Sequence, residues 1–94
     1  MINFNTVKEN FETHALDVLK YEVYYHKDDE VIFDNFVNRM NNWISLSWSR
    51  YDCDIKYDIE DNIISMKVQF KGEIPFGFEY CFDLNMIKLA IYIV

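Results

Sequence analysis

From Tyr51 onward the chain falls into short segments that alternate apolar and polar residues with period two, and their pairings constrain one another. The first segment reads "YDCDIKYDIE". Cys53, Ile55, Tyr57 and Ile59 stand on one side of it; Asp52, Asp54, Lys56, Asp58 and Glu60 stand on the other. A hairpin through Asp61 and Asn62, both tolerant of positive φ, sets Ile59 against Ile64, Tyr57 against Met66, Ile55 against Val68 and Cys53 against Phe70. A second hairpin around "KGEIP" pairs 63–71 with 75–83 and brings Phe76, Phe78, Tyr80 and Phe82 onto the same face. A third around Leu84 and Asn85 pairs 75–83 with 86–94 and adds Ile87, Leu89, Ile91 and Ile93. A slip of one residue at any turn would turn a whole apolar row to the other face. Three hairpins that choose one face predict a four-stranded antiparallel meander with a wholly apolar side.

That side needs a lid, and the first half of the chain supplies two amphipathic helices. "TVKE" at Thr6 has the form of a capping box, with Glu9 reaching back. Val7, Phe11, Ala15, Val18 and Leu19 recur at helical spacing, which predicts a helix over 7–24. Asp28 or Asp29 caps a second helix, whose stripe is Ile32, Phe33, Phe36, Val37 and Met40. Asn41 and Asn42 are poor helix formers and end it. "WISLSWS" then alternates Ile44, Leu46 and Trp48 with serines and reads as a strand over 43–49, with a helical continuation (Val37, Met40, Ile44, Trp48) as the competitor. The expected fold class is α+β: one domain, 1–94, with two N-terminal helices on one face of a four-stranded antiparallel meander, five-stranded if 43–49 joins.

The 94 residues include 16 acidic and 9 basic ones, for a net charge of −7. Phosphate and anionic lipid are bound by Lys and Arg clusters, so the balance argues against direct nucleic-acid or membrane binding. It fits a basic partner, and it also fits plain solubility, the commoner reason for an acidic surface. Two cysteines, Cys53 and Cys81, fall on opposite faces of the sheet and are expected as free thiols of a reducing compartment. No leader-like or membrane-spanning run is present, and the expected location is the cytoplasm, the host's if the chain is phage-encoded.

No motif names a reaction. His14 and His26 share no metal-ligand spacing with the thiols, so neither metal nor cofactor is expected. Cys53 faces apolar residues, Cys81 has no histidine near it, and two glycines cannot build a phosphate loop. The paired carboxylates stand on an exposed strand without the pocket that tunes an acid or base. The chain is read as a non-enzyme.

The acidic ladder is the feature with a mechanical reading. Alternate strand residues stand about 6.6–6.8 Å apart, and duplex DNA presents one charge per roughly 3.4 Å along each strand. Asp52, Asp54, Asp58 and Glu60 therefore repeat like every second phosphate. With Asp61 and with Asp28, Asp29 and Glu30, they form a candidate surface for a basic groove. The alternative is a solvated strand face. Tyr24, Tyr25, Trp43 and Trp48 are candidate aromatic contacts, or else packing residues. Small, acidic, aromatic and free of catalytic motifs, the chain resembles the small antagonist proteins of phages, anti-CRISPRs among them. The likeness is one of composition and architecture and assigns no residue a role. It implies an inhibitor of a nucleic-acid-binding effector. An immunity or antitoxin-like protein facing a basic toxin nuclease shares the same physics. A structural or assembly subunit is the third possibility, with a homodimer formed through the 86–94 edge strand.

Overall fold

The computed structural model describes residues 3–72 and 75–93, the side chains of Tyr92 and Ile93 excepted. Glu73 and Ile74 of the "KGEIP" turn, and Val94, lie outside the described residues. The elements run α1 (Phe4–Tyr25), α2 (Asp29–Ser47), β1 (Cys53–Glu60), β2 (Ile63–Phe70), β3 (Phe76–Asp83) and α3 (Leu84–Ile93). The fold is α+β: two N-terminal helices, a three-stranded antiparallel sheet in the order β1-β2-β3, and a C-terminal helix.

The two hairpin registers are those the alternation predicts. Ile59 faces Ile64 and Cys53 faces Phe70 across β1 and β2. Ile64 faces Phe82 and Phe70 faces Phe76 across β2 and β3. Asp61 takes the positive φ of the first turn, at 56°. The middle strand buries its whole inner row, Ile64, Met66, Val68 and Phe70, whereas Ile55, Tyr57 and Ile59 of β1 are only partly covered.

Three expectations fail. The segment after Asp83 is helix α3, not a fourth strand. Asp83 is the reason: its Oδ1 accepts from the amides of Asn85 at 2.9 Å and Met86 at 3.2 Å, which is helix N-capping. Asn62 Nδ2 donates to the same oxygen at 2.7 Å and so fastens the first hairpin turn to the start of α3. A homodimer through an 86–94 edge strand loses the strand it needs. The 43–49 strand is also absent, because α2 runs on to Ser47 with Trp48 as its C-cap. Helical spacing turns Trp43, Ile44 and Trp48 toward the core and leaves Leu46 84% exposed, whereas the strand would have buried it with its neighbours. Helix α1 starts a turn before Thr6. Asn3 is its N-cap, accepting from Asn5 N at 3.1 Å and Thr6 N at 3.3 Å. Asp28 caps α2 as expected, through Glu30 N at 2.8 Å.

Helix α1 packs against both α2 and α3. At 22 residues it spans about 33 Å, against about 26 Å for strands of 8 residues. Phe11 is the pivot of the core. It is fully buried and meets the rings of Trp43, Trp48, Phe70 and Phe78 at 4.9, 5.1, 5.9 and 5.5 Å. No helix among the described residues is long and apolar enough to cross a membrane.

Candidate functional site

The pleat sends the even-numbered side chains of β1 away from the helices, so Asp54, Lys56, Asp58 and Glu60 are all exposed on the outer face. Asp52, just before the strand, and Asp61, in the turn, are exposed as well. The row is less uniform than its sequence suggests. Asp54 forms an ion pair with Lys71. That contact holds the Lys71 ammonium in its charged form, through the hydrogen bond first and Asp54's charge second. Lys56 faces Lys67 across the ladder. Lys67 also faces Glu79 in register, without an ion pair between them. Asp52, Asp58, Glu60 and Asp61 have no cation within ion-pair distance among the described residues. The candidate acidic surface therefore centres on Asp58, Glu60 and Asp61.

The 28–30 acids divide differently. Asp28 caps α2, and Asp29 Oδ1 accepts from Lys88 Nζ of α3 at 2.7 Å, so both serve the fold. Glu30 stays exposed in the first turn of α2. Among the described residues, no group of three or more His, Cys, Asp or Glu side chains is placed to hold a metal ion.

The aromatic candidates separate too. Tyr24 and Tyr25 are 68% and 61% exposed, with ring centroids 4.9 Å apart at the end of α1. Tyr21 joins them, 4.7 Å from Tyr25, and carries the Arg39 guanidinium over its ring at 4.7 Å. Trp43 and Trp48 instead pack on Phe11 and are partly buried. They also line an open hollow of about 360 Å³ with Asn10, Thr13, His14, Asp17 and Ser47.

His14 stacks on the Trp43 indole, centroids 4.2 Å apart and planes 16° from parallel. Burial, and then the Arg39 charge, push its pKa below 6.5, while Asp17 pulls the other way. The unfolded chain therefore takes up this proton first as the pH falls. His14's contribution to stability is intact above about 6.5 and is lost on the acid side, as the pH drops toward the folded value. An imidazolium against an indole quenches its emission. Tryptophan fluorescence should titrate with a midpoint below 6.5, and His14→Phe should flatten that titration.

The thiols are unpaired, Cys81 exposed and Cys53 half-buried. Burial, with the charges of Asp54 and Asp52 behind it, pushes the Cys53 thiol up to about 11. A thiol held that far above its usual range stays protonated near neutral pH, and the thiolate is the form that alkylates. Alkylation of the native protein should modify Cys81 quickly and Cys53 only on unfolding. Equal rates at both would contradict the register that turns Cys53 inward.

The residue that sequence reasoning missed is Glu22. It is 3% exposed and lies among apolar core residues. Its Oε1 accepts from Asn35 Nδ2 at 2.7 Å and its Oε2 from Arg39 at 3.1 Å, with His26 Nε2 3.7 Å away. The signal was its position: Glu22 continues the stripe of Phe11, Ala15 and Val18. A carboxylate placed there is buried, and a buried carboxylate needs partners. The chain matches no protein-family model, and no curated protein or solved structure is significantly similar to it.

Proposed function

We propose that this protein is a non-catalytic inhibitor that blocks a basic, nucleic-acid-handling protein through the acidic end of β1. A phage counter-defence protein of the anti-CRISPR kind is the role that fits this best. The observation that carries the reading is the set Asp58, Glu60 and Asp61, exposed together and without a cation partner among the described residues, in a chain of net charge −7. Carboxylates that pair within the fold, such as Asp54 and Asp29, are accounted for by the fold. These three repel one another. The charges of Asp58 and Glu60 add nothing to folding that the structure displays, and Asp61 serves the turn through its backbone, at φ 56°, and not through its charge. A partner whose Lys and Arg side chains normally hold phosphates would relieve that repulsion.

Competition is the test. A purified CRISPR effector is offered to the immobilised protein with and without bound duplex DNA, at about 50 and 200 mM salt, a range over which phosphate-type contacts weaken strongly. Binding should be lost to DNA and to salt alike. Binding that ignores both would overturn the reading. The same competition seen only with a toxin nuclease, for a gene lying beside that toxin's, would move the target to the immunity class while keeping the surface.

A further inference from the structure

We propose that the free edge of β1 is the docking site for an extended basic segment of the partner, which adds to the sheet as a fourth strand. The inference rests on the reading of β1 as the partner-facing element and specifies how the partner engages it.

Strand β1 pairs with β2 and with no other strand among the described residues. Which of its backbone groups remain free follows from one hydrogen bond. Lys71 N donates to Asp52 O at 2.8 Å, so the pair 52/71, in register with the ladder, is of the hydrogen-bonded kind. Antiparallel pairs alternate in kind. Asp54, Lys56, Asp58 and Glu60 therefore turn their backbone groups to β2. Cys53, Ile55, Tyr57 and Ile59 turn theirs to the open edge. A row of unpaired N–H and C=O groups is a template for another strand.

The side chains of the same residues carry the second argument. Ile55, Tyr57 and Ile59 are only partly covered, whereas their partners Val68, Met66 and Ile64 are completely buried. The apolar inner face therefore continues to the sheet's margin, where Tyr57 meets Phe36 and Asn41 of α2 and where Ile55 and Ile59 stay partly exposed. Apolar residues at alternate positions of an added strand would extend it.

The outer charges decide which strand fits. A second copy of β1, antiparallel and with the same face inward, fits badly in every register that involves Lys56. Lys56 opposite Asp58 sets Asp54 opposite Glu60. Lys56 opposite Asp54 sets Asp52 opposite Asp58. Lys56 opposite Glu60 sets Asp58 against its own copy, Lys56 opposite Asp52 sets Asp54 against its own copy, and Lys56 opposite Lys56 sets Asp54 against Asp58. Like charges directly opposite on a sheet are destabilising. The pattern guards the edge against self-association. It is complementary to a strand with Lys or Arg opposite Asp58 and Glu60, an acid opposite Lys56, and apolar residues between.

The probe is a labelled peptide of that pattern, Lys-Val-Lys-Val-Glu-Val-Thr, with Glu-Val-Glu-Val-Lys-Val-Thr as its charge-reversed control. Cys53 allows a synthetic 53–94 segment to be ligated to 1–52, so a backbone methyl can be placed on the nitrogen of Tyr57, which removes an edge donor and leaves every charge in place. The basic peptide should bind the unmodified protein and slow amide exchange at Ile55, Tyr57 and Ile59. The backbone methyl should weaken it by about ten-fold or more, since main-chain bonds carry affinity in strand addition. Asp58→Lys with Glu60→Lys should reverse the preference between the two peptides. No binding of the basic peptide, or binding that leaves exchange at those three amides unchanged, overturns the proposal whether or not the methylated chain folds. Full binding to a folded methylated chain, lost on charge reversal, overturns edge docking and leaves the acidic-surface reading standing. Binding indifferent to both changes overturns the two together.

Discussion

Phe11→Ala is expected to destabilise the protein by about 3–5 kcal/mol, the range for truncating a buried phenylalanine. The upper part of that range applies because of where the ring sits. It touches Trp43 near the end of α2, Trp48 at its cap, Phe70 of β2 and Phe78 of β3, and so joins both layers of the fold. None of these neighbours can collapse into the space without leaving another ring. A chain of 94 residues has a total stability on the order of 5–14 kcal/mol, so the loss takes from about a third of it to the whole. Urea denaturation followed by tryptophan emission measures it, since both indoles report on the affected cluster. Phe11→Leu should cost about 1 kcal/mol, because most of the volume stays. A loss below about 1 kcal/mol for the alanine variant would contradict the central place given to Phe11.

Arg39→Leu is expected to cost about 2–3 kcal/mol, somewhat less than the 3–5 typical of breaking a fully buried pair. The discount reflects Arg39 itself, whose side chain is 43% exposed while that of Glu22 is 4% exposed. Removing the guanidinium leaves a buried carboxylate held by the Asn35 amide, with the His26 ring at 3.7 Å. Glu22→Leu removes the costly group instead. The double variant, Glu22→Leu with Arg39→Leu, should therefore be more stable than Arg39→Leu alone, with a coupling of about 1–2 kcal/mol in a double-mutant cycle. Additive effects would mean that the contact is not an energetic pair. The pair ties α1 to α2 just before the exposed tyrosines, so its loss should also loosen Tyr21, over whose ring Arg39 lies.

The three strands were legible because their registers check one another: Ile64, Met66, Val68 and Phe70 each need an apolar residue on both sides and find one. The fourth expected strand had only one such check. Between Leu84 and Ile93 nearly every residue is apolar, so Leu84, Ile87 and Ile91 fit a helix as well as Ile87, Leu89, Ile91 and Ile93 fit a strand. Asp83 decided the matter, and its role as a cap is visible only once Asn85 and Met86 are seen to turn toward it. Residues 43–47 posed the same ambiguity. Packing resolved it, since only a helix brings Trp43 and Trp48 together onto Phe11. The outward row of carboxylates was readable from its period of two. Its interruption was not, because Lys71 reaches Asp54 across the sheet and Lys88 reaches Asp29 from a helix that alternation had disguised.

The acidic end of β1 is the surface on which the functional account depends. Its most direct measurement is the association rate with the basic partner for two variants of equal net charge. One carries Asp58→Lys, Glu60→Lys and Asp61→Lys. The other carries Glu9→Lys, Asp17→Lys and Asp34→Lys, on the exposed sides of the two N-terminal helices. Charge reversal at an interface acts mainly on the on-rate, so the β1 variant should associate about ten-fold or more slowly at low salt, with the difference from wild type shrinking as salt rises. The helix variant should stay within about three-fold of wild type. Equal slowing in both variants would mean that net charge alone governs the encounter, and would contradict the assignment of Asp58, Glu60 and Asp61 to the binding surface.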